Sequence, residues 1–477
     1  MTADPRQGPQ CPNLEAQLET RAVSFLLLTL LSTTAPAVQE FRLDNGLLLL
    51  VKEDHRAPVV VTQIWYKVGG SYEHDGITGI SHALEHMMFQ GTRKYAAGEF
   101  SRIIAENGGN ENAFTAADFT AYFQTLEQSR LEVAFRLEAD RMRNLTLPAQ
   151  EFDKEIKVVR EERRLRTDDE PEAYTSEMAL ATAFQSSPYR QPVIGWMADL
   201  EAMRVGDLKA WYQRWYAPNN AIVVVAGDVQ PEAVQRLARK YFGRLTPEPV
   251  ELPATRSEAP QVGIKRITVK RPAEVPFLTM TWKVPVLATT IAKNSAAESW
   301  EPFALEVLSG ILDGGSSARF STRLVRGQEV AAGIGTDYQF SARMDSLFSI
   351  EGTPAQGHSM GDLEQAMRAE LEDLKSNPVS AQELERVKAQ VVSQDIYQKD
   401  SLFYQAMVLG IFECVGLGWQ RVAEYVPGVQ SVTADQVQAV ARKYFNDDGL
   451  TVAVLEPQPI DPNAPPRPAA GDHGHVR

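Results

Sequence analysis

Cysteine is nearly missing from this sequence of 477 residues, which holds only Cys11 and Cys414. So few thiols exclude a disulfide framework and a metal site built on thiolate pairs. Cys414 lies in the apolar stretch Leu409-Gly-Ile-Phe-Glu-Cys-Val-Gly416, where a buried, inert thiol is expected. Positive charge is also short: 48 lysines and arginines face 62 acidic residues, a formal net charge of −14. No basic stripe is present, so nucleic acid is not an expected partner. Long apolar runs are missing as well. Ala22-Val-Ser-Phe-Leu-Leu-Leu-Thr-Leu-Leu31 is too short to span a bilayer as a helix. It follows Arg21 and precedes Ala35-Pro36-Ala37, the pattern of a secretory signal with a small-x-small cleavage site. Residues 1–37 therefore read as a signal peptide, and the mature chain as periplasmic or otherwise exported, with no integral membrane span. Asp4, Glu15 and Glu19 are unusual in such a leader. Either translation starts further in or the leader is atypical; the competing reading is a disordered tail before a buried core segment.

What is present is enough chain for more than one core. Two halves, 38–252 and 262–457, flank a segment rich in proline and charge at 253–261, which reads as a linker. Residues 458–477 are proline-rich, cannot build a core, and read as a disordered tail. The halves resemble a weak internal repeat. Leu208–Tyr216, Ala-Pro-Asn-Asn and Ala221–Val225 in the first match Val437–Phe445, Asn-Asp-Asp and Gly449–Val454 in the second, at an offset of 229. Each is an amphipathic helix, a polar turn and an apolar strand. Tyr66-Lys67-Val68 and Trp282-Lys283-Val284 are a second, shorter match. Val59–Val68 reads as a strand from its β-branched and aromatic content. Residues 99–107 and 131–144 show helical spacing. The fold class expected is α+β, with two similar layered halves.

One segment carries chemistry. In Gly79-Ile-Ser-His-Ala-Leu-Glu-His-Met-Met-Phe89, His82 and His86 are four residues apart, so on a helix both imidazoles share a face. Neutral imidazoles suit zinc. Glu85 lies near that face, where a carboxylate can take a proton from water activated by the metal. The order His-x-x-Glu-His inverts the more familiar metallopeptidase motif. A third ligand is required, with one position left open. The charged helix Glu151–Leu165 offers candidates: Glu155 and Glu162 are seven apart and share a face with Val158 and Val159, while Glu161 points elsewhere, towards arginines. Spacing alone does not choose Glu162 over its neighbours, and a solvated charged surface is the bland alternative.

His82-x-x-Glu85-His86, Asn112-Ala-Phe-Thr115, Glu155 and Glu162 together resemble the pitrilysin/insulinase family, in the branch of the processing peptidases and their bacterial relatives. The likeness extends through Ser187-Pro-Tyr189, Ile194-Gly-Trp196 and Tyr216-Ala-Pro-Asn-Asn220 and covers about residues 41–457. It implies two similar halves forming a clam-like half-chamber. It implies one zinc ion on His82, His86 and Glu162, Glu85 as general base, and Glu155 orienting a ligand histidine. The activity implied is that of a zinc metalloendopeptidase acting on peptides or unfolded segments. Substrate would add as a strand along Asn112, Ala113, Phe114 and Thr115. Tyr122 could lie near this site or simply pack in the core. The alternative function is a catalytically silent assembly subunit of the same fold.

The second half departs from the family pattern. Where an arginine and a tyrosine seven apart would complete the site, Val325 and Ala332 stand, with Arg326 one position off and Tyr338 beyond the spacing. The resemblance then implies a homo- or hetero-dimer in which a sister chain supplies those two side chains.

Overall fold

The computed structural model describes residues 38–253, 258–293 and 298–461. The leader and most of the proline-rich tail lie outside them. The described chain contains two sheets. The first is built from β1 (Gln39–Arg42), β2 (Leu48–Glu53), β3 (Val59–Tyr66), β4 (Asn110–Thr115), β5 (Thr120–Glu127) and β6 (Ala221–Gly227), in the order β1-β2-β6-β3-β5-β4. The second is built from β7 (Lys265–Pro272), β8 (Phe277–Val284), β9 (Ala331–Tyr338), β10 (Ser346–Pro354) and β11 (Leu450–Gln458), in the order β7-β11-β8-β10-β9. The helices of the first half are α1 (Ile80–Met87), α2 (Glu99–Glu106), α3 (Leu131–Asn144), α4 (Ala149–Arg163), α5 (Pro171–Ala183), α6 (Met197–Ala202), α7 (Val205–Trp215) and α8 (Pro231–Tyr241). Those of the second are α9 (Leu287–Ala292), α10 (Glu301–Asp313), α11 (Met360–Ser376), α12 (Ala381–Gln398), α13 (Leu402–Cys414), α14 (Tyr425–Ser431) and α15 (Ala434–Tyr444). No single described helix is long and apolar enough to cross a membrane.

The repeat seen in sequence is a repeat in topology. β2 runs parallel to β6, and β6-β3-β5-β4 continue antiparallel. β7 runs parallel to β11, and β11-β8-β10-β9 continue antiparallel. Val205 and Ala434 begin matching helices, and Ala221 and Leu450 matching strands, each pair 229 positions apart. β1 is an addition of the first half.

The two sheets exchange cover. On one face of the first sheet, Leu49, Val51, Ile64, Val223 and Val225 pack under the half's own helices. On the other, Leu50, Val61, Trp65, Ile222 and Val224 pack against Ala406, Leu409 and Cys414 of α13, which comes from the second half. A β-carbon on Gly410 would sit 2.1 Å from the Trp65 ring, so only glycine allows this approach. Conversely, α5 of the first half lies on β7, β8 and β11. Burial on both faces explains why Leu47–Val51 and Ala221–Ala226 are continuous apolar runs instead of alternating ones. Cys414 is buried in this contact, and burial pushes its thiol well above the usual range.

A polar tie joins the halves near the turn between β4 and β5. Arg343, from the β9–β10 connection, donates from Nη2 to Ser71 Oγ at 2.8 Å and from Nε to Asp118 Oδ1 at 3.2 Å. Its guanidinium lies over Tyr72, 4.4 Å from the ring centre. Tyr189 and Ser71 also donate to Asp118.

Some boundaries differ from the sequence reading. β3 ends at Tyr66 instead of Val68, because Lys67 and Val68 turn back, with Val68 N–H bonding Tyr66 C=O. β11 continues to Gln458, paired with Pro272, so the tail starts later than 458. The linker is not wholly detached: Glu258 accepts from the backbone N–H of Gln185, Ser186 and Ser187 and from Lys283 Nζ.

Candidate metal centre

α1 carries His82, Glu85 and His86, and its entry is tightly built. Gly79 starts it at φ 82°, and Gly195 packs against it at φ 89°. A β-carbon on Gly79 would lie 2.4 Å from Ile194 C=O, and one on Gly195 2.4 Å from Thr78 C=O. Both glycines are required by conformation and by space. No residue caps α1 locally. Instead Glu73 Oε2 accepts from Gly79 N–H at 2.6 Å and Oε1 from Ser81 N–H at 2.8 Å, satisfying the orphan donors of the first turn. Ile80, Ala83, Leu84 and Met87 bury the opposite side of α1 in the core.

α4 brings the remaining carboxylates. Arg163, almost fully buried, donates to Gly195 C=O at 2.8 Å and to both Glu177 oxygens. That fastens α4 to the segment against which α1 begins. Glu162, the residue before it, then faces α1: its Oε2 lies 3.6 Å from His82 Nε2 and 3.4 Å from His86 Nε2. Ligand atoms of His82, His86 and Glu162 all fall within 4.8 Å of one another, the one such group among the described residues. Two imidazole nitrogens and a carboxylate oxygen are the donor set of a three-ligand zinc centre with an open position.

The surroundings order these groups. Glu155 Oε2 lies 3.4 Å from His86 Nδ1, while its Oε1 accepts from Gln90 Nε2 at 2.9 Å. Arg166 Nη1 sits 2.7 Å from Glu162 Oε1. Burial alone would raise the Glu162 carboxyl, but His86, His82 and Arg166 outweigh it and hold the group down at about 2. Glu85 is 1% exposed, and burial raises its carboxyl to about 7, against the lowering effect of Thr115 and His86. Thr115 Oγ1 donates to Glu85 Oε2.

β4 is the edge of the first sheet and ends at this carboxylate. Ala113 packs in the core on the α1 side and Thr115 reaches Glu85, whereas Phe114 points to the other face, against Trp65 and Phe119. Asn112 is half-buried. Tyr122 is core: its ring packs under Arg141 and its hydroxyl lies 2.9 Å from that of Tyr216. Val158 does not share the buried face of α4; it is 49% exposed while Val159 is fully buried. At seven residues Glu155 and Glu162 fall on one stripe, and Val158 lies at its solvent margin. Glu161 points to solvent and pairs with Arg164.

Comparison with known proteins fits this arrangement. A family model described as insulinase (peptidase family M16) matches residues 48–196, and one described as the peptidase M16 inactive domain matches residues 202–391. The zinc protease PqqE of Helicobacter pylori is 30% identical over 446 residues, covering 91% of this chain and 97% of that protein. The chain belongs to the insulinase family, peptidase family M16. A zinc protease of Mycobacterium leprae is 28% identical over 80% of this chain and 84% of its own length. The crystal structure of a protease from Helicobacter pylori superposes with a TM-score of 0.83 at 29% identity, covering 88% of this chain and all of that one. As an M16 chain it has two similar halves, and the candidate metal ligands sit in the first.

Sequence reasoning missed Thr115 as a partner of Glu85, Gln90 as a partner of Glu155, Arg166 as a partner of Glu162, and Glu73 as a distant cap. Gln90 and Arg166 were findable, each four residues beyond a named site residue, where a helix carried on by one turn would bring them alongside it. Glu73 and Thr115 were not, since tertiary folding alone brings them to α1.

Proposed function

We propose that this chain is a zinc-dependent endopeptidase of peptides or unfolded segments, with one zinc on His82, His86 and Glu162. The observation that carries this is the convergence of those three ligand groups from α1 and α4 beside the buried carboxylate of Glu85. Bound zinc would polarise the scissile carbonyl and acidify a water molecule. Glu85 takes the water proton and returns it to the leaving amine, a role suited to a carboxyl raised to about 7 by burial. Thr115 donates to Glu85 Oε2 and orients the carboxylate. Glu155 orients His86 through Nδ1, and Gln90 orients Glu155. Main-chain groups of Asn112, Ala113, Phe114 and Thr115 on the edge strand hold substrate in extended form beside Glu85.

Residues 38–252 form the zinc-bearing domain and 262–457 its homologous companion in this reading. Export follows from the apolar leader that ends at Ala37. Val325 and Ala332 offer neither guanidinium nor phenol, so a sister chain supplies them in a dimer. The isolated chain then cleaves peptides poorly and a sister chain restores turnover; full activity as a monomer removes the dimer from the account.

The test of the chemistry is Glu85→Gln. Zinc content stays at one per chain, while cleavage of a quenched peptide falls by about 10²–10⁴-fold, the usual contribution of a positioned general base. Cleavage at the unaltered rate overturns the assigned role.

A further inference from the structure

The second half holds its own cleft at the place that the metal centre occupies in the first. Pairing register makes the correspondence explicit. Thr115 pairs with Thr120, which pairs with Tyr66, which pairs with Ala221. Tyr338 pairs with Phe348, which pairs with Trp282, which pairs with Leu450. Ala221 and Leu450 begin the matching strands, so Tyr338 stands where Thr115 stands. Thr115 reaches Glu85 on α1, between α1, α4 and the edge strand. Tyr338 lines a cavity of ≈ 370 Å³ between α10, α12, α13 and α14, beside its own edge strand β9.

The chemistry of the two clefts differs. No histidine lines the second, and five aromatic rings do: Tyr338, Phe340, Tyr404, Phe412 and Tyr425. Among them is the carboxylate of Glu306, whose Oε1 accepts from Tyr425 Oη at 2.9 Å. Among the described residues no lysine or arginine forms an ion pair with Glu306. Asp395, the other lining carboxylate, is paired with Lys399 at 2.5 Å. Burial pushes the Glu306 carboxyl above its ordinary value, the behaviour of an acid lacking a counter-ion. Aliphatic walls are supplied by Met407, Val408 and Ile411.

We propose that this cavity is a binding site for a small organic ammonium ion, its charged head on Glu306 and the aromatic rings and its apolar body along α13. An uncompensated carboxylate inside a ring of aromatics favours a weakly hydrated cation with an apolar body. The volume suits a small molecule. A neutral ligand of the same shape fills the space but leaves the carboxylate without a counter-charge, and an anion is repelled. The site is separate from the metal centre and does not depend on the peptidase reading.

The experiment is calorimetric titration of the full chain at pH 7.5 with hexyltrimethylammonium, which cannot ligate zinc, and with 1-hexanol as the neutral comparison. One equivalent of the ammonium binds, and hexanol binds at least roughly ten-fold more weakly. Glu306→Gln keeps an acceptor for Tyr425 and loses at least roughly ten-fold in affinity for the ammonium, with little change for hexanol. Equal affinity for both probes, no saturable binding at millimolar ammonium, or an unchanged Glu306→Gln variant each overturns the proposal. The two-probe comparison uses the unaltered chain and so decides even if the variant fails to fold. Nα-acetyl-lysine methylamide is the third probe. Binding as tight as the free ammonium assigns the cation to a peptide lysine, and weaker binding to a free amine; both retain the ammonium site.

Discussion

The two clefts of this molecule share an architecture and differ in what fills it. In the first half, α1 and α4 direct two imidazoles and three carboxylates into the gap beside β4. In the second, α10 and α12 frame a gap beside β9 lined by aromatics and by Glu306, which among the described residues forms no ion pair with a lysine or arginine. The backbone therefore supplies a concavity twice, and a few side chains decide whether it suits a divalent metal. The reciprocal cover of the sheets adds a further lesson. Because α13 closes the first sheet and α5 the second, neither half buries its core alone, and the second half supports the half that carries the candidate metal centre.

The largest effect expected is at the tie between the halves. Arg343→Ala leaves Asp118, 4% exposed, without its cationic partner and should cost about 3–5 kcal/mol of unfolding free energy, read by denaturant titration. A loss below about 1 kcal/mol would mean the halves are joined by apolar cover alone. Next, Glu155→Ala should weaken zinc binding by about 10–100-fold, because His86 loses the acceptor that orients it. Asp395→Asn, on α12 beside the second cleft, should leave zinc affinity unchanged. If both variants lost zinc equally, the contrast between the clefts would be wrong. Gly410→Ala tests the exchanged cover. Its β-carbon meets the Trp65 ring, and overpacking should cost about 1–3 kcal/mol in the same titration.

The smallest effect is a dependence on pH at Glu258. Burial opposes its ionisation, but the backbone N–H groups of Gln185, Ser187 and Ser186 and the Lys283 ammonium outweigh it and lower the carboxyl to about 2. A folded pKa below the unfolded value means that ionised Glu258 adds stability, present in full above about pH 4.5 and lost as pH falls through about 2. Glu258→Gln should lower the melting temperature at pH 7 and flatten the acid part of the melting profile, so that the difference from the unaltered chain shrinks as pH falls from about 4.5 to about 2.

Much of the first cleft was legible in the sequence, because its signal is local. His82, Glu85 and His86 lie within five residues, and helical geometry alone puts them on one face. Glu162 needed the family resemblance, since its selection over Glu161 depends on how α4 is rolled, and that is set by Arg163 reaching Gly195. The repeat was visible chiefly where apolar strand and amphipathic helix are contiguous, at α7–β6 and α15–β11, with a shorter match at the ends of β3 and β8. The exchange of α5 and α13 was not visible, because a helix that covers a distant sheet has the same apolar pattern as one that covers its own. Nor was the second cleft: Glu306, Tyr338 and Tyr425 are scattered through sequence and meet only through the register of β8–β10 and the packing of α14.

The most direct measurement is zinc content by mass spectrometry in Glu162→Ala beside Glu161→Ala. The two residues are adjacent on one helix; one faces both imidazoles and the other faces solvent and Arg164. The account predicts that Glu161→Ala retains one zinc per chain and that Glu162→Ala retains almost none, with both remaining folded. Full zinc in Glu162→Ala, or loss in Glu161→Ala alone, would contradict it.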